Sequence, residues 1–317
     1  MAGRLCVVLI AACAMLSGLA GSARGADGPP LVASEPDFPA SLSRPIIYVH
    51  GFSLTNGDNC QKWNPMKDFF DNVYPYHTDI NLTVEYYWGD TNCGYSINGH
   101  GSHSKHFPSG HVNGAHSTDT DIRHLGYHFA WFVWDKYSKD GQGVDIVAHS
   151  MGGLIVRYAL AQVERGNPDF PPRLYVNDVV TLGTPHDGAI GGWLLGCVAI
   201  TLGAKQCSEM GEGSDFIQWL NANANNPQGA NGTDWTTIAS EDDQRVSGPS
   251  GVGMGVHTHK VDYLETSNIQ HDDYRSVTRQ IEDADVTWRN DNTTWSNWYD
   301  APWPVRWTQV ALWLKSW

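Results

Sequence analysis

One short stretch constrains the fold of this chain more than any other. Residues 144–160 read VDIVAHSMGGLIVRYAL: an apolar run, then Ser150, then apolar residues with helical spacing. A buried strand that turns directly into a helix needs small neighbours, here Ala148 and Gly152, because the backbone of so tight a turn is strained. Ser150 could simply cap the helix. We favour the interpretation that it is a nucleophile, since such a turn exposes its hydroxyl group.

The rest of the chain alternates between strand and helix patterns. Short apolar runs predict six strands, at residues 44–51, 81–89, 144–150, 177–186, 234–240 and 257–266. Apolar residues three and four apart predict helices at residues 120–139, 152–166 and 274–284. Apolar strands separated by helices are typical of a mostly parallel sheet with helices on both faces, so we predict an α/β fold.

Two stretches interrupt this alternation. Residues 91–118 are rich in Gly and His, and residues 187–232 are rich in Gly and Asn. Long segments without a helix or strand pattern are typically lids or binding loops of a compact domain. We therefore predict one α/β domain over residues 26–317, with these two insertions and a Trp-rich C-terminal tail at residues 288–317.

The N-terminal residues have the pattern of a secretory signal peptide. Arg4 precedes an apolar stretch from Leu5 to Leu19, and small residues lead to a cleavage site after Gly25. We therefore predict that residues 1–25 are removed and that the protein is secreted and extracellular. A lipoprotein signal that ends in LIAAC is a weaker alternative, because it lies too close to the N-terminus.

The net charge excludes some classes of partner. The formal charge is −14 at pH 7, and removal of a segment that carries Arg4 and Arg24 but no acidic residue makes it −16. So acidic a protein is a poor partner for nucleic acid or for an anionic membrane. We predict a monomer that binds no nucleic acid.

Four cysteines remain after residue 25. An even number in an exported chain favours two disulfides, for which three pairings are possible. We favour Cys60–Cys93 and Cys197–Cys207, because each pair lies within one local region of the sequence.

A nucleophilic serine needs donors for the oxyanion that its attack creates. The amide of Met151, directly after Ser150 at the start of a helix, is one donor, since the helix dipole there favours negative charge. The second is expected after an earlier strand, where the segment YVHGF ends strand 44–51. We choose the amide of Phe52.

The serine also needs a base and an acid that orients the base. In a chain order of serine, acid and histidine, the acid follows a strand beyond the serine. Three carboxylates follow strand 234–240 and qualify by position: Glu241, Asp242 and Asp243. His271 lies on a later loop and is the candidate base. His257 and His259 are weaker alternatives, because they lie within strand 257–266.

Four segments then resemble a known family: YVHGF, VDIVAHSMGG, VVTLGTPH and TTIASEDDQRV. They are similar to the secreted lipases of the α/β-hydrolase superfamily, above all to the Bacillus-type lipases of lipase class 2. In that family too, Ala replaces the first glycine of Gly-x-Ser-x-Gly. The resemblance covers about residues 44–90 and 140–275, and it implies an α/β-hydrolase fold.

The resemblance also implies roles for individual residues. The family's Ser-x-x-Asp-x-x-Val pattern falls on Ser240, Asp243 and Val246, and so selects Asp243 over Asp242. His186 lies in a segment that lines lipase sites, and we interpret it as structural. The remaining roles are nucleophile for Ser150, oxyanion amides for Phe52 and Met151, and base for His271.

Hydrolysis of acyl esters, as by a lipase or carboxylesterase, is the function that this resemblance implies. A depolymerase of an extracellular polyester and an acyltransferase would use the same three residues. A binding protein on a hydrolase scaffold is less favoured, because such a protein is expected to lack a catalytic residue. No cofactor is required for this chemistry.

Two weaker features lie outside the segments that carry the resemblance. Five histidines could hold a structural zinc or calcium ion with Asp119 or Asp121, although we favour a solvated loop: His100, His103, His106, His111 and His116. Seven tryptophans lie in the tail: Trp288, Trp295, Trp298, Trp303, Trp307, Trp313 and Trp317. We favour packing of the tail against the domain, with an amphipathic helix over residues 305–317, over contact with a lipid interface.

Overall fold

A computed structural model gives the arrangement of most of the chain. It describes residues 44–72, 81–101, 116–189, 191–201, 203–255, 258–281, 284–289 and 294–313. The strands are β1 (Ile46–Val49), β2 (Asn81–Glu85), β3 (Tyr95–Ser96), β4 (Val144–His149), β5 (Val176–Leu182), β6 (Asp234–Ser240), β7 (Thr258–Tyr263), β8 (Val286–Arg289) and β9 (Ser296–Trp298). The helices are α1 (Asn64–Asn72), α2 (Ile122–Lys136), α3 (Met151–Glu164), α4 (Gly191–Ile200), α5 (Lys205–Glu209), α6 (Asp215–Asn221), α7 (Gly248–Gly251) and α8 (Pro304–Trp313).

The nine strands form one sheet in the order β3-β2-β1-β4-β5-β6-β7-β8-β9. The pairs from β3 to β7 are parallel, and β8 and β9 extend the sheet as antiparallel strands. The predicted α/β class is therefore confirmed. Strand β4 lies between β1 and β5, so Ser150 follows a central strand at its C-terminal end, where open α/β sheets hold their functional sites.

Helices cover both faces of the sheet, and the strands are apolar because both of their faces are buried. Along β1, Ile47 and Val49 belong to the apolar cluster beneath α2 and α3. Ile46 and Tyr48 belong to the cluster on the opposite face, beneath α1 and α8. This two-sided burial explains why the strands read as continuous apolar runs rather than as alternating ones.

The second predicted insertion contains more structure than its sequence indicated. Residues 187–232 include the helices α4, α5 and α6. Their sequence signal is weak because each helix is short, and because α4 contains three glycines, which favour loops over helices. The first insertion contributes β3, which extends the edge of the sheet.

The predicted helix at residues 274–284 is wrong. The structure has only a 3₁₀ turn at Asp273–Arg275, and residues 276–281 are irregular. Val277 and Thr278 are β-branched and disfavour a helix. Arg275 is also held in place by its ion pair with Asp58, at 3.1 Å. This tertiary contact competes with helical periodicity in so short a segment.

The tryptophan-rich tail packs against the domain in its described part. Helix α8 spans Pro304–Trp313, and Trp307 and Trp313 are buried within it. Trp313 meets Phe70 of α1 with a ring separation of 5.2 Å. Trp295 is exposed, and the last residue of the chain lies outside the described residues. The packing interpretation agrees with these contacts.

Both predicted disulfides, Cys60–Cys93 and Cys197–Cys207, are confirmed. The first joins the segment before α1 to the segment after β2, and the second joins α4 to α5. The predicted signal peptide at residues 1–25 lies outside the described residues. Within the described ranges, no helix is long and apolar enough to cross a bilayer.

Candidate active site

Ser150 occupies a strained turn between β4 and α3. Its φ is 56° and its ψ is −132°, a backbone conformation that residues with a side chain rarely adopt. The segment before it is packed close by: a Cβ added to Gly51 would lie 2.5 Å from the Ser150 Cβ. A Cβ on Gly152 would lie 2.4 Å from the His50 carbonyl oxygen. Gly152, one of the two small residues that the turn was predicted to need, is therefore required by contact.

The structure brings the predicted base and acid to this serine. Nε2 of His271 lies 2.9 Å from Oγ of Ser150, and Nδ1 lies 2.6 Å from Oδ2 of Asp243. A carboxylate can only accept, so Nδ1 carries the proton and Nε2 is left to accept one from the serine. All three side chains are buried or nearly so. This arrangement can activate a hydroxyl group.

Asp243 is held by its own turn and by a tyrosine. Its Oδ1 accepts hydrogen bonds from the amides of Arg245 and Val246, at 2.8 and 3.1 Å. Its Oδ2 accepts a third from the Tyr274 hydroxyl, at 3.3 Å. The Tyr274 contact was not predicted, since only the fold places residues so distant in the chain together. The neighbouring Asp242 does not contact His271 in any described hydrogen bond.

A second buried histidine supports the loop that carries the base. His149, the last residue of β4, donates from Nε2 to the carbonyl oxygen of His271 at 2.7 Å. Burial lowers the pKa of His149 well below its ordinary value, and the positive charge of Arg275 lowers it further. His149 therefore stays neutral and serves as a fixed donor to the backbone of His271.

Hydrogen bonds to its carbonyl fix the orientation of the Gly51–Phe52 peptide, in the turn after β1. The carbonyl of Gly51 accepts hydrogen bonds from Nδ1 of His50 and from the Tyr86 hydroxyl, both at 2.9 Å. In a trans peptide the carbonyl and the following N–H point in opposite directions. Because the Gly51 carbonyl points toward Tyr86, the N–H of Phe52 points away from it. Gly51 itself lies against Ser150.

Asp90 and Tyr86 also hold this turn, and no local sequence pattern pointed to either residue. Nε2 of His50 lies 2.9 Å from Oδ2 of Asp90. The same carboxylate oxygen accepts from the amides of Tyr86 and Tyr87, at 2.8 and 2.9 Å. The Tyr86 ring stacks on His50 with a centroid distance of 4.0 Å.

The second predicted oxyanion amide belongs to Met151. This residue is the first of α3, where the helix dipole favours negative charge.

Comparison with known proteins agrees with this geometry. Residues 103–199, which include Ser150 and the elements on either side of it, match the family model described as "Putative serine esterase (DUF676)". A lipase from Staphylococcus epidermidis is 29% identical over 185 residues, which are 49% of this chain and 25% of that protein. The predicted resemblance is confirmed. Over the part that carries Ser150, this chain is therefore similar to serine esterases and lipases.

The chain spans only about a quarter of the length of the curated lipases that it matches. Solved structures of similar chains include a mature lipase of Bacillus licheniformis, 19% identical, with a TM-score of 0.38 over 63% of this chain and 66% of that one. A gene product of Listeria innocua is 15% identical, with a TM-score of 0.45 over 74% of this chain and 89% of that one.

A cleft of about 450 Å³ opens onto Ser150 and His271. Its wall includes Phe52, the side chain of Trp193 from α4, and Leu54. Phe52 and Trp193 meet edge to face with a ring separation of 6.1 Å. Helix α4 is therefore part of the entrance to the site.

The other candidate histidines do not belong to the hydrogen-bonded series of Ser150, His271 and Asp243. His259 pairs with Asp234 at 3.2 Å, on β7, and His257 lies outside the described residues. His186 is buried, with Nε2 2.9 Å from the Thr181 hydroxyl, as expected of a structural residue. Among the five metal candidates, His103, His106 and His111 lie outside the described residues. Nδ1 of His100 lies 2.8 Å from Oδ2 of Asp135. His116 is buried beside the rings of His124 and His128.

Proposed function

We propose that this protein hydrolyses carboxylic esters with Ser150 as nucleophile. The observation that carries the proposal is the continuous hydrogen-bonded series from Ser150 Oγ through His271 to Asp243. His271 takes the hydroxyl proton as Ser150 attacks the ester carbonyl, and the amides of Phe52 and Met151 stabilise the oxyanion. His271 then donates the proton to the leaving alcohol. In the second half of the reaction, His271 takes a proton from water as the water attacks the acyl-enzyme. It then returns this proton to Oγ of Ser150 as the carboxylic acid leaves.

The test is a series of p-nitrophenyl esters from acetate to palmitate, with triolein and a polyester film as further substrates. We expect Ser150→Ala to lose nearly all turnover, since removal of such a nucleophile costs about 10⁶-fold in kcat. Ser208→Ala is the matched control, because Ser208 is exposed on α5, and it should retain full activity. Equal rates for wild type and Ser150→Ala would contradict the proposal.

The same series separates the alternative acyl-transfer functions. Release of soluble acids from the polyester film, without turnover of triolein, would indicate a depolymerase. A product ester formed in the presence of an added alcohol, in preference to the free acid, would indicate an acyltransferase. The relatives named as lipases support a lipid or acyl ester as the substrate.

We also propose that α4 contacts the lipid phase. Leu195 and Ile200 are 73% and 71% exposed on this helix, although large apolar side chains are usually buried. Leu54, on the other wall of the cleft, is 47% exposed. Leu54 lines the cleft, and Leu195 and Ile200 lie on the helix that contributes Trp193 to it. Exposed apolar side chains that lie together are typical of a surface that binds lipid or protein.

A paired substitution tests this contact. Leu195→Ser with Ile200→Ser should lower the rate on emulsified triolein about tenfold, since two large side chains lose their burial in lipid. The rate on soluble p-nitrophenyl acetate should stay the same. Tyr299→Ser, at an exposed position in the tail, is the control and should change neither rate. An equal loss with Tyr299→Ser would assign lipid contact to the tail instead.

We propose secretion of the protein on two grounds. The first is the signal-like sequence of residues 1–25, and the second is the pair of disulfides, which persist in oxidising compartments. Expression of the full chain in a bacterium with periplasmic and culture fractions tests it. We expect a mature chain that begins after Gly25 in the exported fraction, and a precursor confined to the cytoplasm would contradict the proposal.

A further inference from the structure

Three histidines converge at a buried point away from Ser150. His124 and His128 lie on successive turns of α2, four residues apart, and therefore share one face of the helix. His116 approaches them from the segment that precedes this helix. All three are buried, with relative exposures of 0%, 0% and 3% for His124, His128 and His116. Their ligand atoms lie within 4.8 Å of one another.

Backbone contacts define which nitrogen of two of these rings carries a proton. Nδ1 of His128 lies 2.6 Å from the carbonyl oxygen of His100. Nδ1 of His116 lies 3.2 Å from the carbonyl oxygen of Tyr86. A carbonyl oxygen only accepts, so Nδ1 is the donor in both rings, and in the neutral ring Nε2 keeps its lone pair. Histidines that bind metals are oriented in this way by a carbonyl on the far nitrogen.

The spacing of the rings suits one ion. Nε2 of His124 and Nε2 of His128 are 3.0 Å apart. Ring centroids in the cluster are separated by 4.4 Å for His124 and His128, 4.9 Å for His116 and His124, and 5.2 Å for His116 and His128. Two nitrogens bound to one tetrahedral zinc ion, each at about 2.0–2.1 Å, lie about 3.3 Å apart. Small side-chain rotations bring the three rings to that distance.

We propose that His116, His124 and His128 bind one divalent transition-metal ion, with zinc as the preferred metal. Imidazole ligands suit zinc, copper and nickel rather than calcium or magnesium, which prefer oxygen. Two of these ligands lie farther along the chain than the histidines that the sequence suggested for a metal site. Of the five histidines that composition suggested, His116 belongs to this set, and His103, His106 and His111 lie outside the described residues. The other two ligands come from α2.

The position of His116 gives the ion a structural consequence. Its amide donates to the Tyr86 carbonyl at 3.1 Å, and its own carbonyl accepts from the Trp88 amide at 3.0 Å. The Tyr86 hydroxyl in turn holds the carbonyls of His50 and Gly51. A metal that ties His116 to α2 therefore also fixes the segment behind the Phe52 turn, without contact to Ser150.

Metal content and thermal stability test the site without reference to activity. Protein loaded with Zn²⁺ and then desalted should contain one equivalent by mass spectrometry. Removal with dipicolinate should lower Tm by about 5 °C or more, and added Zn²⁺ should restore it. His124→Gln and His128→Gln should each lose the metal. His100→Gln is the matched control and should retain it, because His100 contributes only its backbone carbonyl.

Three results would overturn the site. The first is less than one equivalent of zinc in the loaded wild-type protein, and the second is a Tm that the chelator leaves unchanged. The third is loss of the metal in a variant with His103, His106 and His111 all changed to Gln. Should the α2 variants fail to fold, X-ray absorption of the zinc-loaded wild type decides the question: three imidazole ligands support the site, and fewer contradict it. Ser150→Ala should bind the metal as wild type does, even if the proposed esterase activity is absent.

Discussion

Two buried histidine–aspartate pairs lie on either side of Ser150, and they differ in their third partner. His271 contacts Asp243 through Nδ1, and its Nε2 meets the hydroxyl of Ser150. His50 contacts Asp90 through Nε2, and its Nδ1 meets the carbonyl oxygen of Gly51. The pair distances are similar, at 2.6 and 2.9 Å.

The third partner decides what each pair can do. A hydroxyl group can donate, so Nε2 of His271 is able to accept the proton of Ser150. A carbonyl oxygen and a carboxylate only accept hydrogen bonds, so both nitrogens of His50 are occupied by acceptors. It has no nitrogen left to act as a base. The same residue types therefore form a proton acceptor for Ser150 in one place. In the other they form a clamp, which holds the turn that carries Phe52.

The largest effect that separates the pairs is expected from Asp243→Asn. An asparagine still accepts from the amides of Arg245 and Val246, but it presents an NH₂ group to His271 and favours the wrong tautomer. We expect kcat to fall about 10⁴-fold with little change in stability. Asp242→Asn is the control and should change kcat less than about threefold, as is usual for a residue outside the chemistry. The opposite outcome would transfer the role of acid to Asp242.

Asp90→Asn is expected to act on stability first. It replaces the carboxylate that contacts His50 and accepts from the amides of Tyr86 and Tyr87, and loss of one partner of a buried pair costs about 3–5 kcal/mol. We expect kcat to fall by about 10²-fold, as for a misplaced oxyanion donor, with KM nearly unchanged. Urea unfolding and steady-state kinetics measure both.

The control for Asp90 is Asp135→Asn at the pair with His100. This pair lies at the surface, where such contacts contribute about 0–1 kcal/mol. If Asp90→Asn left both stability and kcat as they are in wild type, His50 would not be a clamp.

Removal of the Tyr86 hydroxyl tests the clamp more gently. Tyr86→Phe deletes the hydrogen bonds to the carbonyls of His50 and Gly51, at 2.7 and 2.9 Å. We expect a loss of about 1–2 kcal/mol in stability and about tenfold in kcat. In the control Tyr137→Phe, the deleted hydroxyl makes no hydrogen bond among the described residues, and kcat should not change. Equal kinetics of the two variants would disprove the role of Tyr86.

The smallest effect concerns His149, which supports His271 without a carboxylate. Its pKa in the folded protein lies well below the ordinary 6.5, because burial disfavours the charged form. Below about pH 6.5 the unfolded chain therefore binds a proton that the folded chain does not. As the pH is lowered, the free energy of unfolding then falls by up to about 1.4 kcal/mol per pH unit. His149→Gln should reduce this slope between pH 6.5 and 5 in urea unfolding. An unchanged slope would show that His149 is not the group responsible.

Local patterns in the sequence predicted the parts of the site that have local causes. Strand 234–240 coincides with β6, and strand 144–150 ends one residue from the end of β4. Both strands are buried along nearly their whole length, because both faces of the sheet are covered. The turn at Ser150 was visible because its strain requires small residues nearby in sequence.

Other parts of the site left no local pattern. Position alone did not distinguish Asp243 from Asp242, and only the family resemblance favoured the former. Asp90 and Tyr86 hold the oxyanion turn, yet in sequence they are one acidic and one aromatic residue after a strand. Helix α4 was read as loop, because its glycines hide its periodicity and its apolar residues are not confined to one face.

The sequence by itself determined the α/β class, the strained serine turn and the order of nucleophile, acid and base. These depend on periodicity and turn chemistry, which act over a few residues. The tertiary structure alone decided that His271 meets Ser150 across 121 positions, that His50 serves as a clamp rather than a base, and that three histidines gather at α2. Such contacts depend on how the sheet places the ends of distant strands side by side, and no short-range pattern records that placement.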